Sequence, residues 1–165
     1  MLRTLFIPAI GLLLFVAGCG YHFSASAPIN LPQNVTNIYI QDVDNPTLEA
    51  WIDPYLRARF RDEFTRRARI NWVDGEAAQA AVTLRIIAYY TDTELSGARD
   101  QTLRERATVT METEFRSMVD GSLIWSSGRI TEHETFEAGT SDIAAGQRAL
   151  ENAIRRTADG LGADY

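Results

Sequence analysis

The sequence predicts an α+β domain, a single, mostly antiparallel β-sheet with two helices packed on one face. Three patterns carry that expectation. Two segments repeat apolar residues at helical spacing, an early one (Ile52, Leu56, Phe60, Phe64) and a late one (Ile143, Leu150, Ile154, Ala158, Leu161). Between them Ala107, Val109, Met111, Thr113, Phe115, Ser117 and Val119 alternate with Thr108, Thr110, Glu112, Glu114 and Arg116, the mark of a half-buried antiparallel strand. Asp120-Gly121 then supplies a hairpin turn signal.

Residues 1–18 read as a signal segment outside the fold. A positive start (the amino terminus and Arg3) precedes the apolar run 5–16, which is too short as a helix to cross a hydrocarbon layer of about 30 Å. Val16-Ala17-Gly18-Cys19 resembles the bacterial lipobox, which implies cleavage before Cys19 and acylation of its sulfur and freed amine. Gly20 stands where inner-membrane retention would use Asp, so the same resemblance implies sorting to the outer membrane. Residues 19–34 hold two prolines and no sustained period, and read as an extended, lipidated tether. The domain proper is expected over 35–165.

Within it, 35–41 (VTNIYIQ) is β-branched and aromatic, hence a strand, closed by Asn45-Pro46. Asp53-Pro54 reads as an N-cap followed by proline in the first helical position. Trp51 and Tyr55 flank the stripe of that helix, and its other face carries Arg57, Arg61, Asp62, Arg66 and Arg67. The pairs Asp62 with Arg66 and Glu63 with Arg67 have the favourable i,i+4 order, so this face reads as solvated rather than as a phosphate site. Short and long strands follow at 69–74 and 81–93, with an Ala-rich turn between them. The long one places Val82, Leu84, Ile86, Ala88 and Tyr90 on one face. A polar break at 96–104 precedes the alternating strand, 123–136 returns as its hairpin partner, and Gly139-Thr140-Ser141 caps the last helix. The expected order is β-α-β-β-β-β-α, with adjacent strands joined as hairpins.

Composition narrows the function. The 165 residues carry 16 cations against 22 acids, a net charge of -6, which argues against a general nucleic-acid binder. Every cation is Arg; a complete lack of Lys reads as codon bias rather than phosphate recognition. One cysteine allows neither an internal disulfide nor a cysteine zinc cage. No nucleophile elbow, phosphate-binding P-loop or dinucleotide fingerprint is present. Glu132-His133-Glu134 would point alternately to opposite faces of a strand, so it makes no metal site, and Glu112 and Glu114 lie on a polar face. Neither catalytic residues nor a cofactor are expected, and Asn34-Val35-Thr36 is a chance glycosylation match.

Cys19-Gly20-Tyr21-His22-Phe23, then Leu31-Pro32, a strand, an amphipathic helix, the Gly97-Ala98-Arg99 loop, the Asp120-Gly121 hairpin and an Ala-rich last helix together resemble the LPS-assembly lipoprotein family LptE. The resemblance implies a non-enzymatic outer-membrane lipoprotein that plugs the β-barrel protein LptD, assists its assembly and helps insert lipopolysaccharide into the outer leaflet. It implies a lipid-anchored domain facing the periplasm and the barrel lumen. Barrel lumens are polar, so a plug should present charged, hydrogen-bonding surface. Arg99, Arg104 and Arg106 are the expected lipopolysaccharide contacts, with Asp100 and Glu105 diluting them; an ordinary solvated loop is the alternative. The other functional reading is a generic periplasmic lipoprotein, auxiliary to an envelope transport system.

Overall fold

The structure, a computed structural model, describes residues 28–98 and 102–163. The signal segment, Cys19, most of the tether and Arg99 lie outside them. The elements follow the order β1 (Asn37–Asp44), α1 (Ile52–Arg67), β2 (Asn71–Trp72), β3 (Ala80–Ser96), β4 (Thr102–Ser117), β5 (Leu123–Glu137) and α2 (Asp142–Ala163).

The strands form one sheet in the order β2-β1-β3-β4-β5. It is mixed, not mostly antiparallel: β1 runs parallel to both β2 and β3, and only β3–β4 and β4–β5 are antiparallel. The cause is α1. A helix between β1 and the next strand returns the chain to its starting end, so the following strands add to β1 in its own direction rather than as hairpins.

The first helix starts earlier than its proline suggests. Ile52 N–H donates to the Glu49 carbonyl at 3.1 Å, and α1 begins at Ile52 with Asp53 in its first turn. Asp53 still favours the positive helix end there, and Pro54 still lies where no backbone donor is required.

A bulge resets the long strand. Ile86 pairs with Met111 and Ala88 with Thr110, which leaves Ile87 as an extra residue. Beyond it the inward set changes parity, so Tyr89 packs against the core instead of Ala88 and Tyr90, and Tyr90 is 51% exposed. In β4 the alternation ends at Ser117; Val119 belongs to the following turn and is 94% exposed. In α2, Ile143 is exposed, and the buried stripe is Ala145, Ala149, Leu150, Ala153, Ile154, Ala158 and Leu161.

One core joins the two helices and the sheet. Phe60 and Phe64 of α1 stack at 4.1 Å, and Phe64 lies 6.0 Å from Phe115 of β4. Phe115 in turn meets Trp125 of β5 edge-on at 5.9 Å. Leu150 and Ile154 of α2 belong to the same cluster, as do Val82, Leu84 and Ile86.

The charged face of α1 is not uniformly solvated. Glu63 and Arg67 are buried, with Arg67 reaching Glu63 at 3.4 Å and Asp159 of α2 at 2.7 Å. Arg66 bonds Glu63 rather than Asp62, and Asp62 pairs with Arg59 at 3.7 Å. Ile29, Leu31 and Pro32, assigned by sequence to the tether, are buried too. Ile29 N–H donates to the Arg67 carbonyl at 2.9 Å. Its side chain crowds Gly162, where a Cβ would fall 2.9 Å from the Ile29 Cγ2.

Candidate functional site

The sheet face turned away from this core is polar by construction. Once Val82, Leu84 and Ile86 point to the helices, the intervening Thr83 and Arg85 must point outward. Register places Asp44, Arg85, Glu112 and Arg129 in one row across β1, β3, β4 and β5, alternating in sign. Arg85 bridges its neighbours, with Nε 3.3 Å from Asp44 Oδ2 and Nη1 3.3 Å from Glu112 Oε2. Ser126 Oγ donates to Glu112 Oε1 at 3.4 Å, and Thr110 and Thr131 share a hydroxyl hydrogen bond at 2.9 Å. Such a surface can exchange hydrogen bonds and charges with another polar surface, and offers little to an apolar one.

Arg104 and Arg106 lie on β4 at the hairpin end of the same sheet. Each has an acid across the hairpin. Arg106 holds Asp92 through Nε at 3.3 Å and Nη2 at 2.9 Å, and Arg104 Nε stands 4.0 Å from Glu94. The hydrogen bonds from Arg106 hold the Asp92 carboxyl below its ordinary range. An incoming phosphate must therefore compete with Asp92 at Arg106, and less so at Arg104. The signal for these partners was present in the sequence: Asp92 and Arg106, and likewise Glu94 and Arg104, are equidistant from residue 99. Asp92 and Arg106 are indeed cross-strand partners, whereas a register shift between Thr93 and Leu95 sets Arg104 opposite Leu95, so that Glu94 stands beside it rather than directly across from it.

The Glu132-His133-Glu134 run divides as strand geometry requires. Glu132 accepts from Arg156 Nη1 at 2.6 Å and Glu134 from Asn152 Nδ2 at 2.9 Å, both on α2, while His133 is exposed.

Comparison with known proteins decides the family. The LptE family, described as lipopolysaccharide-assembly, matches this chain over residues 35–162. The chain belongs to the LptE family. No curated protein matches it. Among solved structures, the hypothetical protein CT253 from Chlamydia trachomatis is 10% identical with a TM-score of 0.55, over 78% of this chain and 99% of that one. The uncharacterized lipoprotein B from Nitrosomonas europaea is 12% identical with a TM-score of 0.51, over 86% of this chain and 85% of that one. At those identities the likeness is one of fold. The family match covers every described strand and all of α1. Among the described residues, no helix is long and apolar enough to cross a membrane.

Proposed function

We propose that this LptE-family chain is an outer-membrane lipoprotein, anchored through acylated Cys19, whose domain occupies the lumen of the LptD β-barrel. There it assists barrel assembly and helps pass lipopolysaccharide to the outer leaflet, without catalysing a reaction itself. The family match over residues 35–162 carries the proposal. The outward row Asp44, Arg85, Glu112 and Arg129 supports it physically, because a polar lumen wall pairs with alternating charge better than with apolar surface. Arg99, Arg104 and Arg106 are the proposed lipopolysaccharide contacts. Of the two that the structure describes, Arg104 has the looser acid partner and is the easier to recruit.

Affinity purification of the full-length chain from detergent-solubilised outer membranes tests this. A large β-barrel partner in near-equal amount is expected. Recovery of the chain alone would favour an auxiliary lipoprotein of another envelope transport system. Replacing Cys19 by Ala should abolish lipid labelling and leave the precursor uncleaved.

A further inference from the structure

A second charged region lies away from the β3–β4 hairpin, where α1 crosses β1 and β2. A cleft of roughly 350 Å³ there is lined by Tyr39, Ile40, Arg57, Arg61, Trp72 and Asp74, among others. Most cations of α1 are matched to acids: Arg59 to Glu151 at 3.2 Å, Arg66 to Glu63, and Arg67 to Glu63 and Asp159. Arg57 and Arg61 differ. One helical turn apart and both facing the cleft, neither reaches a carboxylate among the described residues.

Both are nevertheless held in place. Arg57 is half-buried and its Nη1 donates to the Ile40 carbonyl at 3.2 Å, an acceptor that orients the guanidinium without neutralising it. The Arg61 guanidinium lies over the Trp72 ring, 5.0 Å from its centroid. Trp72 is fixed in turn by its Nε1–H bond to Thr65 Oγ1 at 2.8 Å and by edge contact with Phe60 at 6.4 Å. Two like charges spaced i,i+4, one of them partly withdrawn from water, are unfavourable by themselves and are relieved by an anion between them. A guanidinium has five donors in a planar fork, and the Ile40 bond leaves most of those on Arg57 free. Asp74, which also lines the cleft, forms no ion pair with either arginine and leaves the lining net positive. That one negative charge moderates affinity without cancelling the pair.

We propose that this cleft is a phosphate-monoester site in which Arg57 and Arg61 grip the oxyanion against the Trp72 wall. It stands apart from the lipopolysaccharide reading of the β3–β4 hairpin and does not depend on it. The phosphate can come from a soluble ester or from a lipid headgroup; the chemistry at the arginines is the same.

The Trp72 indole N–H is a local reporter. Full-length protein in detergent, labelled with nitrogen-15, is titrated with inorganic phosphate while the three indole resonances are followed. A saturable shift of Trp72, with Trp51 and Trp125 unmoved, is expected. Arg57→Gln and Arg61→Gln should each weaken binding by about tenfold, and Asp74→Asn should tighten it. Unchanged Trp51 and Trp125 indole positions in the phosphate-free variants verify that the fold is intact; Trp72 itself shifts in Arg61→Gln, which removes the guanidinium over its ring. Competition by glycerol 3-phosphate or by phosphatidic acid in the micelle then identifies a soluble or a lipid source. An absent shift, or a saturable shift that survives both arginine substitutions in folded protein, overturns the proposal.

Discussion

Arg67 of α1 and Asp159 of α2 meet at 2.7 Å, and the Arg67 side chain is only 2% exposed. This is the charged contact that ties one helix to the other from within. Arg67→Ala should remove the bonds to both Glu63 and Asp159, leave Glu63 paired with Arg66, and cost about 2 kcal/mol in denaturant unfolding. Asp159→Ala should cost less, because Glu63 still neutralises the guanidinium.

Two glycines of α2 should respond to alanine in opposite ways. At Gly146 a Cβ would fall 2.8 Å from the Tyr89 ring and 3.1 Å from Trp51, both packed groups. Gly146→Ala should therefore destabilise by about 1–3 kcal/mol. At Gly160 the nearest atom, on Trp125, is 3.8 Å away, so Gly160→Ala should stabilise by about 0.5–1 kcal/mol through helix propensity. Thermal melts of the two variants give the comparison directly.

Alkaline unfolding should report on Tyr89. Burial chiefly, with the negative charges of Asp142 and Glu49 adding to it, pushes its phenol up to about 12. The fold thus favours the protonated ring. That contribution is whole below the ordinary value of 10.0 and is lost as pH rises toward 12. Wild type should lose stability across this window, and Tyr89→Phe should lose less; equal losses would assign the effect elsewhere.

The pair Asp92 and Arg106 links acid titration to the proposed lipopolysaccharide contact. Arg106→Ala should return the Asp92 carboxyl toward its ordinary range, as read by carbon-13 chemical shift against pH. The pair's stabilisation is present above that range and fades as pH falls through the lowered value of the folded state. Replacing Arg104 and Arg106 by Ala should weaken lipopolysaccharide binding in a salt-sensitive way, whereas Asp92→Asn should free Arg106 and strengthen it. Unchanged binding in all of these would discard the hairpin end as a contact.

The element order was readable because both helices and β4 keep one period over many residues. What was not readable depended on long-range partners. Nothing local to 37–44 says that β1 lies beside β3 in the same direction; that follows from α1 acting as a crossover. The bulge at Ile87 left no local mark, since Ile86-Ile87-Ala88-Tyr89-Tyr90 is apolar throughout and reads equally well in either parity. Arg67 looked solvated because it is charged and has an acid four residues before it, although at i+7 from Phe60 it lies on the buried face of α1, where Asp159 of α2 meets it. At the hairpin end, the pairing of Arg106 with Asp92 was in principle legible, and the register shift that moves Arg104 off Glu94 was not. Among the described residues, the cleft of Arg57 and Arg61 was not, because Trp72 and Tyr39 reach it from other strands.

Ile29 has an implication for the timing of folding. It sits near the beginning of the domain, yet part of its cover comes from Gly162, in the final turn of α2. On a growing chain, Ile29 cannot reach its native burial until α2 has been made. The segment around Ile29 is therefore among the last parts of the domain to lock, and does so only once α2 is in place.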